Sequence, residues 1–344
     1  MRLKSHCLAV TENKESHTAA NYRENVDEVT EEFGIKEKIV KTVTDNENKM
    51  KAAFDDEERT GCMAHIIHNS VTNGFKQVEE VKELIEKSRR IATKYHKSYA
   101  FKNKVEEEQI KSGLPTRALI QDVPTRWGST RASTSSFLDK EDKDQDAVDD
   151  KGSDVFRDKF LNMDAINSAL RKIKFKGDQK LSQYLLTEAD KQKIFTVNKF
   201  LTDLDIFSTT LGGDKYITSS VVFPVMAAMK KLLKEDSSDP MYIASLKEAI
   251  LKDFVARANS NVDGDFLLLA TALDPQWKDL KVINKSGRER CWQKIRTEMD
   301  LLRGEGDVAR DKIDAPKPKR RLLDIDVSDD ESDEENRMDE LTRF

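Results

Sequence analysis

The sequence predicts a mostly α-helical protein with a short α/β piece at its N-terminus. Apolar residues recur every three or four positions over residues 78–95, 194–211 and 241–255, which is the spacing of one helical face. Within the first 45 residues, a compact β-branched run at 38–43 predicts a strand instead. Hydrophobic residues make up 37% of the chain and charged residues 36%, with a mean hydropathy of −0.69, so the apolar material suffices for a core.

The first 45 residues are predicted to form a strand, a helix and a second strand. Residues 3–10 mix apolar and polar side chains in the manner of a short strand. Gly34 stands where a C-cap glycine would end the helix that follows. The run at 38–43 is expected to be a buried strand, which the polar residues 44–46 end. The helix is predicted from the spacing of Tyr22, Val26, Val29 and Phe33.

Beyond residue 75 the sequence predicts helices separated by polar segments. The apolar run at 267–272 is expected to be a buried helix that ends at the Asp-Pro pair 274–275. Residues 140–153 are charged and poor in apolar side chains, which predicts a solvated loop or a disordered insert. Residues 304–344 are rich in charge, and we expect an acidic, mostly disordered tail.

The composition argues against several classes of protein. No run approaches the roughly 18 consecutive apolar residues of a membrane span, and no signal-peptide pattern is visible at the start. The three cysteines are too few and too scattered for a disulfide framework or for a zinc site made of cysteine pairs. We therefore expect a reduced intracellular compartment and no membrane partner.

The charge is unevenly distributed along the chain. The net charge is −5, but residues 322–344 hold ten acidic residues and two arginines, so the remainder of the chain carries +3. This is not the strong basic excess of a protein that coats nucleic acid, although a locally basic face is compatible with it. Ser328 and Ser332 precede acidic runs and are expected phosphorylation targets. The basic cluster at 317–321 is like a nuclear-import signal.

Asp45 follows the predicted strand at 38–43 and has two interpretations. A carboxylate at a strand end is well placed to hold Mg²⁺, which prefers hard oxygen ligands. Two-metal phosphoryl chemistry, however, needs several converging carboxylates. The alternative is that Asp45 and Asn46 form an Asx turn after the strand.

Cys62 and His65 form a CxxH string, and His68 follows one turn later. A zinc site would need four ligands, and no second cysteine pair lies nearby. The alternative, a structural junction between a strand and a helix, is favoured over a metal site.

The string from Asp122 to Thr130 is the most distinctive in the chain. Arg126 and Trp127 offer a cation beside a large aromatic face, which suits phosphate contact and stacking on an unpaired base. The alternative is an Arg–Trp pair that packs at the start of a helix. Thr125 is a candidate N-cap for that helix.

Together these strings resemble the hAT family of DNA transposases and the proteins domesticated from them, most closely the zinc-finger BED-type group. The order and spacing of the strings, over roughly residues 3–303, are more specific than any single string. The matching residues are Ser16-His17-Thr18 with Asn21, Thr44-Asp45-Asn46 with Asn48 and Met50, Cys62 to His65, Asp122 to Trp127, Tyr216-Ile217-Thr218 with Pro224, and Leu273 to Lys278.

The resemblance implies an RNase H-like fold interrupted by a large helical insertion. It divides the chain into a partial RNase H-like α/β core (1–74), a helical insertion domain that returns toward the core (75–303) and the acidic tail (304–344). A short strand near Cys62 is implied as well. Active family members bind two Mg²⁺ with two Asp and one Glu. Asp45 matches the second Asp, and Trp127 matches a tryptophan that stacks on a flipped base.

The family's first Asp lies in a DxW string and its Glu in a SERvFS string, and neither string occurs here. We therefore expect no enzyme but a catalytically incomplete, transposase-like nuclear protein that associates with DNA or chromatin and regulates transcription. No cofactor and no zinc site are expected, with Asp45 as a vestigial Mg²⁺ ligand. A homo-oligomer or other protein partners are compatible, although the family's dimerisation segment is missing. The alternatives are a fragment of an active transposase and a protein-interaction module without DNA binding.

Overall fold

The computed structural model shows a mostly helical protein, with one two-stranded parallel sheet in its described residues. No helix in this part of the chain is long and apolar enough to span a membrane. The predictions for 140–153 and 305–344 lie outside the described residues. The structure describes residues 7–10, 16–55, 58–123, 126–139, 160–175, 177, 179–213, 218–234 and 236–304.

The sheet consists of β1 (Thr42–Thr44) and β2 (Arg59–Gly61). Short 3-10 helices lie at Lys36–Lys38, Leu181–Gln183 and Ser219–Val221. The α-helices are α1 (Ala19–Glu32), α2 (Asn48–Ala53), α3 (Met63–Gln77), α4 (Glu79–Lys97), α5 (Tyr99–Lys111), α6 (Trp127–Ser135), α7 (Leu161–Arg171), α8 (Glu188–Leu211), α9 (Val222–Leu232), α10 (Met241–Asn261), α11 (Gly264–Leu273) and α12 (Lys285–Gly304).

Helix α1 confirms the first predicted helix. The Thr18 hydroxyl caps it by accepting a hydrogen bond from the Asn21 backbone N–H at 3.3 Å. Gly34 follows with φ of +60°, the left-handed conformation that glycine adopts after a helix. The strand predicted at 3–10 is wrong for residues 7–10, which are irregular and exposed because no described strand pairs with them. Residues 3–6 lie outside the described structure.

The strand predicted at 38–43 is present in part, but displaced and exposed. A 3-10 helix occupies Lys36–Lys38, and β1 begins only at Thr42. Val40, which precedes β1, and Val43, within it, are 80% and 61% exposed, so the run is not buried as expected. The buried strand is its partner β2, which lies where the resemblance implies a strand near Cys62.

The two strands run parallel, with Thr42 opposite Arg59 and Thr44 opposite Gly61. Parallel neighbours need a crossover connection, and here the crossover carries α2. The carboxyl ends of both strands therefore lie at the same edge of the sheet, which places Asp45 and Cys62 there together.

The periodic segments beyond residue 75 are helices, as predicted. Helices α4, α8 and α10 bury the apolar faces that the three-and-four spacing identified. The helix expected at 267–272 is α11, and it ends immediately before Asp274. The buried residues of these faces include Val81, Leu84, Ile91 and Tyr95, then Ile194, Val197, Leu201 and Leu204, and then Ile243, Leu246, Ile250 and Phe254.

The chain forms two compact units. The domain boundaries predicted at residues 74 and 303 stay predictions. Unit 1 consists of residues 1–67, 207–234 and 251–344, and unit 2 of residues 68–206 and 235–250.

An apolar cluster lies in unit 1, and a carboxylate caps a helix of unit 2. In unit 1, buried residues of α11, of the turn after it and of α12 form one apolar cluster. Half-buried residues, among them residues of α9 and α12, pack against this cluster. In unit 2, the carboxylate of Asp139 accepts hydrogen bonds from the backbone N–H groups of Leu161 and Asn162 and so caps α7. The buried members of the unit 1 cluster are Leu268, Ala272, Leu280, Val282, Ile283 and Cys291.

Candidate functional site

The first candidate site is the carboxyl edge of the sheet in unit 1, where Asp45 follows β1. Its carboxylate is half-buried and accepts a hydrogen bond from the Glu47 backbone N–H at 3.2 Å. An Asp side chain that accepts from the amide two residues on forms an Asx turn. The geometry is thus that of the alternative interpretation of Asp45, and its matched role as a metal ligand stays a prediction.

A buried arginine that the sequence analysis missed lies beside Asp45. One terminal nitrogen of Arg59 lies 3.3 Å from Thr44 Oγ1, 3.4 Å from the Asp45 carbonyl oxygen and 3.3 Å from Asn46 Oδ1. Its Nε is buried without a partner. A buried cation is costly unless paired, yet none of the described residues contributes a carboxylate to it. The sequence shows this arginine only as a basic residue three positions before Cys62.

Gly61 is the tightest point of this edge. A Cβ atom at Gly61 would lie 2.3 Å from Asn46 Oδ1 and 2.7 Å from the Asn261 carbonyl oxygen, distances that no real Cβ contact shows. Asn46 Nδ2 and Asn261 Oδ1 are buried nearby without hydrogen-bond partners. Glycine is therefore required here so that the loop after β1 and the end of α10 can approach β2.

A half-buried ion pair ties the sheet to α11. Lys41 Nζ lies 2.6 Å from the Asp263 carboxylate, and the Asp263 backbone N–H donates to Thr60 Oγ1 at 3.1 Å. Burial raises the pKa of the Asp263 carboxyl, but hydrogen bonds from Lys41 and the Phe266 backbone N–H outweigh it and hold that pKa below its ordinary value. Asp263 is thus a charged N-cap of α11 as well as an anchor for the sheet.

Cys62 and His65 lie where β2 passes into α3. The Cys62 backbone N–H donates to the Thr44 carbonyl at 2.7 Å, and its own carbonyl accepts from the His65 and Ile66 backbone N–H groups at 3.1 Å. The backbone of Cys62 therefore continues the sheet and starts the helix. This is the position that a structural junction would occupy.

The residues at this edge do not by themselves fit a two-metal site. Asp45 supplies one carboxylate, and the Arg59 cation lies 3.4 Å from the Asp45 carbonyl oxygen. Over the described ranges, no three His, Cys, Asp or Glu side chains converge in a metal-binding group. We therefore derive no metal-dependent step from this edge.

The second candidate site, in unit 2, is the turn from Asp122 to Trp127. The Asp122 carboxylate is buried and accepts hydrogen bonds from Arg89 Nη2 at 2.6 Å and Arg89 Nε at 3.2 Å. Its other oxygen accepts from the hydroxyls of Ser129 at 2.7 Å and Thr130 at 3.1 Å. Asp122 thus fixes the turn to α4 and to the first turn of α6.

The two residues predicted to bind DNA differ in their exposure to solvent. Trp127 opens α6 with its side chain 4% exposed, whereas Arg126, directly before it, is exposed. The ring thus occupies the packing position that the alternative interpretation describes, and the guanidinium faces solvent. The DNA-binding role of the pair stays a prediction. Pro124 and the predicted cap Thr125 lie outside the described residues.

The string at 273–278 has a structural explanation. Asp274 ends α11, and its carboxylate accepts hydrogen bonds from the Ser220 hydroxyl at 2.7 Å and the Gln276 backbone N–H at 2.9 Å. It thereby joins the end of α11 to the 3-10 helix before α9. These contacts give the string a structural role.

Of the six strings that carry the resemblance, four lie at ends or junctions of secondary structure: the cap of α1, the turn after β1, the entry to α3 and the exit from α11. The string at 122–127 leads into α6, and in the sixth string Tyr216 and Ile217 lie outside the described residues while Pro224 lies in α9. The chain is similar to a human zinc finger BED protein. This relative is the Homo sapiens zinc finger BED domain-containing protein 4, with 22% identity over 283 residues.

The aligned region covers 81% of this chain and 21% of the human protein, so the chain spans about a fifth of the length of the curated relative that it matches. No family model matches the chain. The similarity is distant, and it supports a relationship at the level of a BED-type, hAT-like family.

Proposed function

We propose that this protein is a catalytically incomplete, hAT transposase-like nuclear protein that associates with DNA or chromatin and acts in transcription regulation. The observation that carries the proposal is the similarity to a BED zinc finger protein over 81% of the chain. The parallel pair β1–β2, with Asp45 at its carboxyl edge, supports it, because the resemblance matches Asp45 to a carboxylate in that place.

The catalytic part of the proposal rests on the surroundings of Asp45. Two-metal cleavage needs several carboxylates that converge on both ions. In the described residues Asp45 is accompanied by the buried Arg59 cation, whose charge opposes the binding of a divalent cation. The expected result is that the protein has no nuclease activity of its own.

The contact with DNA is assigned to exposed Arg126, whose place is fixed by the Asp122 turn. The experiment measures binding of duplex and hairpin DNA to the full chain by fluorescence anisotropy, between about 50 and 200 mM salt. Arg126→Ala is expected to weaken binding and to reduce the salt slope by about one, since one phosphate contact is lost. The matched control is Arg171→Ala, an exposed arginine at the end of α7 in the same unit, which should leave both quantities unchanged.

The alternative of an active transposase fragment makes a different prediction. It requires that the chain nick a supercoiled plasmid in Mg²⁺ or Mn²⁺ and that Asp45→Ala abolish the nicking. The third candidate, a protein-interaction module, requires that no salt-dependent DNA binding be measured at all. Salt-dependent binding without nicking is the result that the proposed function expects.

A further inference from the structure

Helix α12 buries one face in the core of unit 1 and exposes an apolar stripe beside it. Cys291 is buried and Ile295 packs against the core cluster. Trp292 and Met299 are 39% and 46% exposed and lie outside that cluster. Trp292, Ile295 and Met299 are three and four residues apart, which places them on one side of the helix. Exposed tryptophan and methionine on one stripe are typical of a surface that binds another segment of chain.

The same helix carries a concentrated positive charge. Residues 285–296 include five basic residues and one acidic residue, and one of the five, Lys294, is paired with Asp265 of α11 at 3.0 Å. The first turn has no acidic residue, although the N-terminus of a helix carries partial positive charge. Basic side chains placed there therefore destabilise the helix slightly. An anionic partner would relieve this repulsion as well as cover the stripe.

A segment of the opposite charge is present in the same chain. Residues 322–344 hold ten acidic residues and two arginines. The first six residues of this segment, LLDIDV, combine four apolar side chains with two carboxylates, so the segment offers apolar groups to the stripe and anionic groups to the basic residues of α12. The chain between Gly304 and Leu322 can extend to about 60 Å, whereas all of α12 is about 30 Å long. The segment can therefore reach any part of the helix.

We propose that the acidic segment 322–344 docks on the exposed face of α12 in its own chain. Apolar side chains of 322–327 cover Trp292 and Met299, and the carboxylates that follow lie against the basic residues of 285–296. The inference goes beyond the proposed function and holds whether or not the protein binds DNA. Phosphorylation of Ser328 and Ser332 adds about −1.5 to −2 charges each and strengthens the contact.

The test is zero-length carbodiimide cross-linking of the full chain, followed by mass spectrometry. Docking is expected to give amide links between the acidic segment and the amines of Lys285 and Lys294. Lys49 and Lys51, exposed on α2, report the background of random encounters within the same sample. The links to α12 should fall to that background at about 1 M salt, where the Debye length is about 3 Å. Yields at α12 no higher than the background at low salt would overturn the proposal.

Two further experiments test the apolar contribution to docking and the identity of the partner that docks. Trp292→Ser with Met299→Ser should lower the α12 links severalfold, whereas Tyr99→Ser with Ile110→Ser, a still more exposed apolar pair on α5, should not. A mixture of ¹⁵N-labelled and unlabelled protein distinguishes links within a chain from links between copies. Links that join heavy to light chains would assign the α12 surface to a second copy and reject docking within one chain.

Discussion

At the scale of single residues, Asp122 explains why a short string of the sequence adopts one conformation. Its buried carboxylate accepts from Arg89, Ser129 and Thr130 and so joins α4, the turn and α6. Arg89 lies 33 residues away in the chain. The single sequence identifies the string as unusual, but such a distant partner leaves no local signal, so the role of Asp122 could be recognised only in the structure.

Replacing Asp122 by Asn tests this role. The amide keeps the size of the side chain but loses the charge that pairs with Arg89, so we expect the free energy of unfolding to fall by about 2 kcal/mol. Urea unfolding followed by circular dichroism measures it. Asp279→Asn, at an exposed aspartate, is the control and should change stability by less than about 0.5 kcal/mol. An equal effect of both substitutions would contradict the assigned role.

Gly61 and Gly128 make opposite predictions for the same substitution. Alanine at Gly61 must displace Asn46 or the Asn261 backbone, so we expect a loss of about 1–3 kcal/mol in the free energy of unfolding. Nothing lies within 4 Å of a Cβ at Gly128 inside α6. Gly128→Ala should therefore stabilise the protein by about 0.5–1 kcal/mol through helix propensity. Thermal unfolding of the two variants side by side checks both signs.

At the scale of elements, the sequence predicts the helices well and the strands only in part. A helix buries a face whose spacing is local, so the pattern in α4, α8 and α10 suffices to predict it. The burial of a strand depends on its neighbours, which are distant in sequence. For this reason the sequence predicts a buried strand at 38–43, whereas the buried strand is β2, which contains Arg59, Thr60 and Gly61.

The packing of α5 against α7 includes a charged cluster with a defined pH response. Glu108 accepts hydrogen bonds from Lys111 at 2.8 Å, Lys172 at 2.7 Å and Ser168 at 2.6 Å. These bonds, that from Lys111 foremost, lower the pKa of the Glu108 carboxyl from 4.5 to about 2. A carboxyl whose pKa is depressed by folding stabilises the protein fully above its unfolded pKa, and that stabilisation is lost as the pH falls through the folded pKa.

Glu108→Gln is therefore expected to be less stable than the wild type above about pH 5, and the difference should shrink as the pH falls toward 2. Urea unfolding at a series of pH values measures the difference. Glu83→Gln, at an exposed residue of α4, provides the comparison and should change the free energy of unfolding by less than about 0.5 kcal/mol. A gap between wild type and Glu108→Gln that stayed constant from pH 6 to pH 2 would contradict the assignment.

At the scale of the whole molecule, opposite charges are separated along the chain: +3 over residues 1–321 and −8 over residues 322–344. The basic cluster at 317–321 lies next to this change of sign. The proposed nuclear localisation rests on this cluster, because a compact basic cluster is the recognition element of nuclear import.

Replacing Lys319, Arg320 and Arg321 by alanine in the full chain, fused to a fluorescent reporter, is expected to move the protein from the nucleus to the cytoplasm. The matched control replaces three basic residues of α12, Arg288, Arg290 and Arg296, and should leave the nuclear signal unchanged. Fluorescence microscopy of living cells measures the ratio of the two compartments. A nuclear signal that persists without the cluster would remove this support for nuclear localisation.

The hydrogen bond from the Asp263 backbone to Thr60 spans 203 residues. A ribosome that adds about 5–20 residues per second needs roughly 10–40 seconds to deliver Asp263 after Thr60 has been made. During that interval the strands have neither their anchor in α11 nor the Asn261 backbone against Gly61. The nascent chain therefore presents a bare two-stranded edge for much of its synthesis, which makes residues 42–61 the natural place for a chaperone to bind before the later helices arrive.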